Sequence, residues 1–152
     1  MDDRYRIRPG TSADLPEISG LERGIFSDPW SDPLLEGALA EESLVAVGAG
    51  SVVAYLFLRR AADEGEILNL AVAPEHRRRG VAKRLLEVAC RSLRERGVQR
   101  AFLEVRESND NAKGFYQHEG FRPIGRRSRY YRNPPEAALV LVRDLGPLRG
   151  TA

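Results

Sequence analysis

The sequence predicts a mixed α/β domain whose central sheet is only partly parallel and is flanked by helices, and three observations carry that prediction. An apolar strand from Glu66 to Val72 meets Pro74 and a basic turn, after which Gly80 opens a helical apolar pattern at Val81, Leu85, Leu86, Ala89 and Leu93. A second strand, Gln99 to Arg106, follows that helix at once, so the two strands should be parallel neighbours or near neighbours joined by a crossover. The remaining apolar stretches are short and bounded by turn residues, as in an antiparallel meander.

Each element has its own signal. Tyr5 to Arg8 alternates and stops at Pro9-Gly10. Thr11 or Ser12 caps a helix with Leu15, Ile18 and Leu21 on one face and Asp14 near its positive end. Phe26 to Ser31 is a turn whose aromatics, Phe26 and Trp30, either pack into the core or wall a cleft. Ser31 caps a second short helix, with Pro33 in its first turn and Leu34, Leu35 and Leu39 behind. Leu44 to Val47 and Val52 to Leu58 form a hairpin about Gly48 to Ser51, and a polar link from Ala61 to Gly65 leads to the next strand. The crossover helix ends at Arg96-Gly97. Asn109 or Asn111 caps a further helix through His118, which Gly120 ends. Phe121 to Gly125 and Ala138 to Arg143 are the last strands, separated by a loop rich in arginine and tyrosine.

A chain of 152 residues suits one domain, with a core from about residue 5 to 144, and a net charge of +2 gives no global field to attract a polyanion. Cys90 is the sole cysteine, which excludes an internal disulfide or cysteine metal cluster, points to a reducing compartment, and reads as helix core. The charged start, Met1 to Arg6, lacks the apolar core of a secretory signal, and the tract Leu44 to Leu58 falls short of the ~20 residues of a membrane span. The expectation is a cytoplasmic protein with no membrane partner. His76 and His118 lack spaced ligand partners, so they read as surface residues and no metal is expected.

The chemistry concentrates around the basic turn. Unpaired N–H groups at a helix N-terminus, the helix dipole and the close approach allowed by Gly80 suit a phosphate, and Arg77, Arg78, Arg79 and Lys83 add full charges. The alternative is a solvated basic turn that only caps a helix. Glu104, mid-strand between Leu103 and Val105, fits either a solvated sheet face or a functional carboxylate, and Tyr116 fits either the core or a proton donor.

Arg77-Arg78-Arg79-Gly80-Val81-Ala82 resembles the acyl-CoA pyrophosphate signature of the GCN5-related N-acetyltransferase (GNAT) superfamily, and the element order resembles that single-domain fold. Phe26 to Ser31, Leu103 to Asn109, Phe115 to Phe121 and Tyr130-Tyr131 resemble the ribosomal-protein alanine N-acetyltransferase branch. The resemblance implies that Leu70, Ala71 and Val72 offer backbone groups to the pantetheine arm. Arg77, Arg78, Arg79, Gly80, Val81, Ala82 and Lys83 would hold the pyrophosphate, and Asn109 would contact the cofactor. It implies Glu104 as general base, Tyr116 as general acid, and Trp30, Tyr130 and Tyr131 as acceptor contacts. The implied activity is transfer from acetyl-CoA to the N-terminal alanine of a small-subunit ribosomal protein. Alternatives are acetylation of lysine or a small amine, an idle acyl-CoA binder, and a nucleic-acid module using its arginine clusters, for which no specific nucleic acid is expected. Two departures bear on the acceptor: Arg126, Arg127, Arg129 and Arg132 crowd around Tyr130-Tyr131, and Ala137 follows Glu136 where relatives commonly carry an acidic residue. The oligomeric state is not legible.

Overall fold

The computed structural model describes residues 4–146; Met1 to Asp3 of the charged start and the tail from residue 147 lie outside the described residues. Its strands are β1 (Tyr5–Pro9), β2 (Glu42–Gly48), β3 (Ser51–Ala61), β4 (Glu64–Val72), β5 (Arg100–Arg106), β6 (Arg122–Tyr131) and β7 (Glu136–Asp144). Its α-helices are α1 (Leu15–Ile25), α2 (Asp32–Ala40), α3 (Val81–Glu95) and α4 (Asp110–His118). The strands hydrogen-bond in the order β1-β2-β3-β4-β5-β7-β6, with β4 and β5 parallel and β1 to β3 and β5 to β7 antiparallel. This is the mixed sheet expected of the α/β class.

Two compact units make up the chain, each drawn from separate stretches. The first holds the residues up to Arg59 together with Leu68–Ala89. Pro9 is tolerated because β1 is an edge strand. The β2–β3 hairpin turns at Ala49 and Gly50, both with positive φ (53° and 80°), which matches the right-handed twist of the paired strands. Ile18, Leu35, Leu39, Val45, Tyr55 and Phe57 form its dry core, and Val81, Leu85, Leu86 and Ala89 of α3 are buried as their spacing requires. Leu34 departs from expectation: it is exposed, because Leu35 and Leu39, one turn apart, take the inward face of α2. Ser31 does cap α2, its Oγ accepting from the Leu34 N–H.

The second unit holds Arg60–Ile67 and the residues from Cys90 onward. Its parallel register runs from Glu64↔Arg100 to Ile67↔Leu103, and the helix stop at Gly97 adopts φ 82°. Cys90 is buried, and burial pushes its thiol above the ordinary value. Two segments read as loops are strand. The link from Ala61 to Gly65 shrinks to a tight turn at Ala62-Asp63, and β6 continues through Tyr131. Nearly every β6 side chain is exposed, so no apolar alternation marks it; its pairing with β7 makes it a strand.

Candidate active site

In the first unit the basic turn takes the shape its sequence dictates. Pro74–His76 makes one 3₁₀ turn after β4, and Arg78 and Gly80 both adopt positive φ (63° and 78°). Successive N–H groups in such a turn gather on one side, and those of the first turn of α3 have no partner within the helix. Arg84 N–H closes the first helical bond onto the Gly80 carbonyl at 3.1 Å. Nothing lies within 4 Å of a Cβ built on Gly80, so the surface there is open to a ligand. The side chains divide the labour. Arg78 and Lys83 are exposed, whereas Val81 is buried and can offer only its backbone N–H. Arg77 Nε donates back to the Val72 carbonyl at 3.1 Å, closing the turn on the strand end. Arg79 donates to the Tyr5 hydroxyl at 3.2 Å, and that hydroxyl lies 2.8 Å from His76 Nδ1. His76 is therefore not the simple surface residue expected: it is half-buried and edge-on to the Tyr5 ring. On β4, Ala71 is buried and Leu70 and Val72 are half-buried.

Trp30 also belongs to this unit. Its ring stacks on Phe57 (centroids 5.8 Å, planes 8° apart), and its backbone N–H donates to Glu22. Glu22 was missed by sequence reading. It falls four residues after Ile18 on the inward face of α1, and that spacing was the available signal.

The second unit carries the implied acid and base. Glu104 on β5 lies opposite Val140 of β7, with its side chain 12% exposed. Tyr130 donates a long hydrogen bond to Glu104 Oε1 (3.3 Å), and Arg127 Nε stands 3.4 Å from Oε2, which is buried without a hydrogen bond of its own. Both come from the irregular part of β6. Between the pairs Arg127↔Ala138 and Tyr131↔Glu136 the β6 chain advances four residues against two on β7, and this bulge re-aims its side chains. Arg106 fastens the following turn: it donates to the carbonyls of Arg132 (2.7 Å) and Pro134 (2.9 Å), pairs with Glu136 and lies 4.5 Å over the Tyr131 ring.

Tyr116 sits half-buried on α4, edge-on to Phe115 and Phe121. Burial pushes its phenol above the ordinary value, with Tyr131 adding to the rise. Tyr131 is raised by burial and by the Glu104 charge, and Tyr130 likewise, so Glu104 and the three tyrosines share one electrostatic neighbourhood. Asn109 caps α4, its side-chain oxygen accepting from the Ala112 N–H at 3.1 Å; a ligand contact would come from its amide nitrogen. The arginines of β6 are largely answered by carboxylates: Arg122 by Asp144 (3.5 Å), Arg126 by Glu107 (2.8 Å) and Arg127 by Glu104. Among the described residues no group of three or more His, Cys, Asp or Glu could hold a metal ion, and no helix is long and apolar enough to cross a membrane.

The first unit thus carries a basic turn at the start of the crossover helix, and the second a carboxylate–phenol neighbourhood on β5, β6 and α4; the class of the protein follows from its relatives. The chain belongs to the acetyltransferase (GNAT) family, whose model matches residues 8–121, and it is an N-acetyltransferase. It is 34% identical over 145 residues to the N-alpha-acetyltransferase RimI of Mycobacterium tuberculosis, covering 90% of both chains. It is 32% identical over 122 residues to the [ribosomal protein bS18]-alanine N-acetyltransferase of Escherichia coli, covering 79% of this chain and 82% of the relative. The crystal structure of the ribosomal-protein-S18-alanine N-acetyltransferase from Escherichia coli superposes with a TM-score of 0.88 at 27% identity, covering 97% and 98% of the two chains.

Proposed function

We propose that this protein transfers the acetyl group of acetyl-CoA to the N-terminal amine of a protein, with an alanine-first ribosomal protein as substrate, in the cytoplasm. The observation that carries the acceptor class is the likeness to relatives named for this activity, which extends over 79% to 90% of the chain. The chain itself supplies what the reaction needs. Arg78, Lys83 and the N–H groups of Gly80, Val81 and Ala82 hold the pyrophosphate, Arg77 and Arg79 fix the turn, and Leu70, Ala71 and Val72 offer strand-like partners to the pantetheine amides. Bound acetyl-CoA supplies an activated acetyl thioester.

Glu104 takes the proton that the ammonium must lose before its nitrogen can attack, directly or through one water. An α-amine, with an ordinary pKa of about 7.7–8.0 against about 10.4 for lysine, needs only such a modest base. The neutral nitrogen forms its bond to the acetyl carbon as the carbon–sulfur bond breaks. Tyr116 donates a hydrogen bond, and finally its proton, to the departing thiolate and is reprotonated by the second proton that the acylated nitrogen sheds, through solvent. In this reading the Leu70 N–H polarises the thioester oxygen, Asn109 adds a cofactor contact, and Trp30, Tyr130 and Tyr131 bear on the acceptor. One experiment tests the whole: acetyl-CoA and a panel of N-terminal peptides, including alanine-first ribosomal sequences and peptides with a blocked N-terminus and free lysine, read by site-mapped mass spectrometry. Acetylation confined to free N-termini, fastest on alanine-first peptides, is expected; acetylation of lysine alone, or of nothing, overturns the reading.

A further inference from the structure

Glu22 is a carboxylate with 1% of its surface exposed, set in the core of the first unit. A charge in such a place is costly unless its lone pairs are filled, and an apolar residue of similar shape usually packs there at lower cost. Both of its oxygens are engaged, by donors from three segments. Oε1 accepts the Tyr55 hydroxyl of β3 (2.6 Å) and the Asn69 amide of β4 (3.0 Å), while Oε2 accepts the backbone N–H of Trp30 (3.0 Å). Asn69 immediately precedes Leu70, and the Trp30 ring lies against Phe57, two residues along β3 from Tyr55. With three donors around it and almost no surface, Glu22 serves to hold the segments that donate to it.

We propose that Glu22 is a positioning residue for the acceptor: it fixes the height of the Trp30 segment over β3 and locks that segment to the part of β4 that faces the thioester. The inference rests on the proposed N-terminal acetylation, in which Trp30 bears on the acceptor. Because the donors converge from α1's own follow-on segment, β3 and β4, one carboxylate couples the acceptor wall to the cofactor strand without touching either ligand. Apolar packing alone would hold Trp30 near Phe57 but would leave its backbone N–H, and hence its register, undetermined.

Glu22→Gln tests this, since an amide offers one acceptor atom where the carboxylate offers two and must turn an NH₂ towards at least one of the donors. Trp30 is the only tryptophan of the chain, so its fluorescence reports the segment directly. The expected result is increased acrylamide quenching of Trp30 and a rise of about tenfold in peptide KM, the size of one lost hydrogen bond to a charged group. Acetyl-CoA affinity should stay within about twofold, because the end of β4 is also held by its backbone, the Ala73 N–H donating to the Val53 carbonyl at 2.8 Å, and the turn beyond it is untouched. A folded variant with unchanged quenching and unchanged peptide KM overturns the proposal, and so does a parallel loss of peptide and acetyl-CoA affinity, which would mark a merely structural role. Amide exchange in the wild-type protein does not depend on the variant folding: the Trp30 N–H should exchange at least about tenfold more slowly than that of Ser27, and equal rates overturn the proposal. If the wild type acetylates no N-terminal peptide, the proposed function fails and this inference with it; if it does so beside a Glu22→Gln variant of normal peptide KM, this inference fails alone.

Discussion

Glu104 is covered by two groups, the Tyr130 hydroxyl and the Arg127 guanidinium, which an amine would displace in the reaction proposed above. Arg127 is 61% exposed, so its ion pair is screened and weak, and an ammonium can take its place at little cost. Arg127→Ala should therefore lower the peptide KM two- to fivefold, roughly the worth of one exposed pair, and leave kcat near normal. A raised KM in steady-state assays would show instead that Arg127 holds the acceptor. For Tyr116 the direction of the shift fixes the expected pH dependence. A phenol pushed above its ordinary ~10 stays protonated across the working range, so it imposes no alkaline loss, and kcat/KM should rise as the α-amine deprotonates near 7.7–8.0 and then level off. Tyr116→Phe should cut kcat by about 10²–10⁴ with acetyl-CoA affinity intact, keeping the same pH profile. An alkaline fall between pH 8 and 9.5 that disappears in the variant would sink this account. Glu104 and Tyr116 could be singled out in the sequence as candidates, by residue type and by the resemblance. The groups that cover Glu104 could not, because Arg127 and Tyr130 reach it only through a bulge that no local propensity encodes.

At the scale of elements, α3 shows how much one backbone position can carry. Gly80 holds φ 78° with open space where a side chain would stand, so the obstacle to substitution is the conformation and not a clash within the protein. Gly80→Ala should cost about 1–2 kcal/mol of stability through that left-handed conformation. It should also weaken acetyl-CoA binding by placing a methyl group where phosphate approaches. Gly80→Asn should recover part of the stability, since asparagine tolerates such φ values. Calorimetric unfolding and acetyl-CoA titration of the two variants check this; equal stability in Gly80→Ala would refute it. Elements with a strong period, α3 above all, could be read directly: Val81, Leu85, Leu86, Ala89 and Leu93 are all buried. Strand β6 could not, because an almost wholly exposed strand keeps no apolar alternation and is defined by its partner. Glu22 lay between these cases. Its position on the apolar face of α1 was readable, but the three donors that make a buried charge tenable come from Trp30, Tyr55 and Asn69, brought together only by the fold.

For the molecule as a whole, a net charge of +2 leaves anion binding to local geometry, and the β6 arginines are partly spent on Asp144, Glu107 and Glu104. The turn before α3 is different: its exposed cations, Arg78 and Lys83, stand beside N–H groups that have no partner within the helix, so under the proposed function a ligand bearing the matching phosphates should bind the native state alone. Binding of that kind stabilises by mass action, about 2.7 kcal/mol when free ligand reaches 100 times its Kd. For a chain of this size each kcal/mol shifts Tm by about 2–4 °C, so saturating acetyl-CoA should raise Tm by about 5–10 °C. ATP and NAD carry phosphates but no pantetheine arm to pair with Leu70, Ala71 and Val72, so at equal concentration they should shift Tm little. Differential scanning calorimetry decides the matter. An equal shift from ATP would mean that the turn binds phosphate without help from β4, and no shift from millimolar acetyl-CoA would remove the cofactor from this turn altogether.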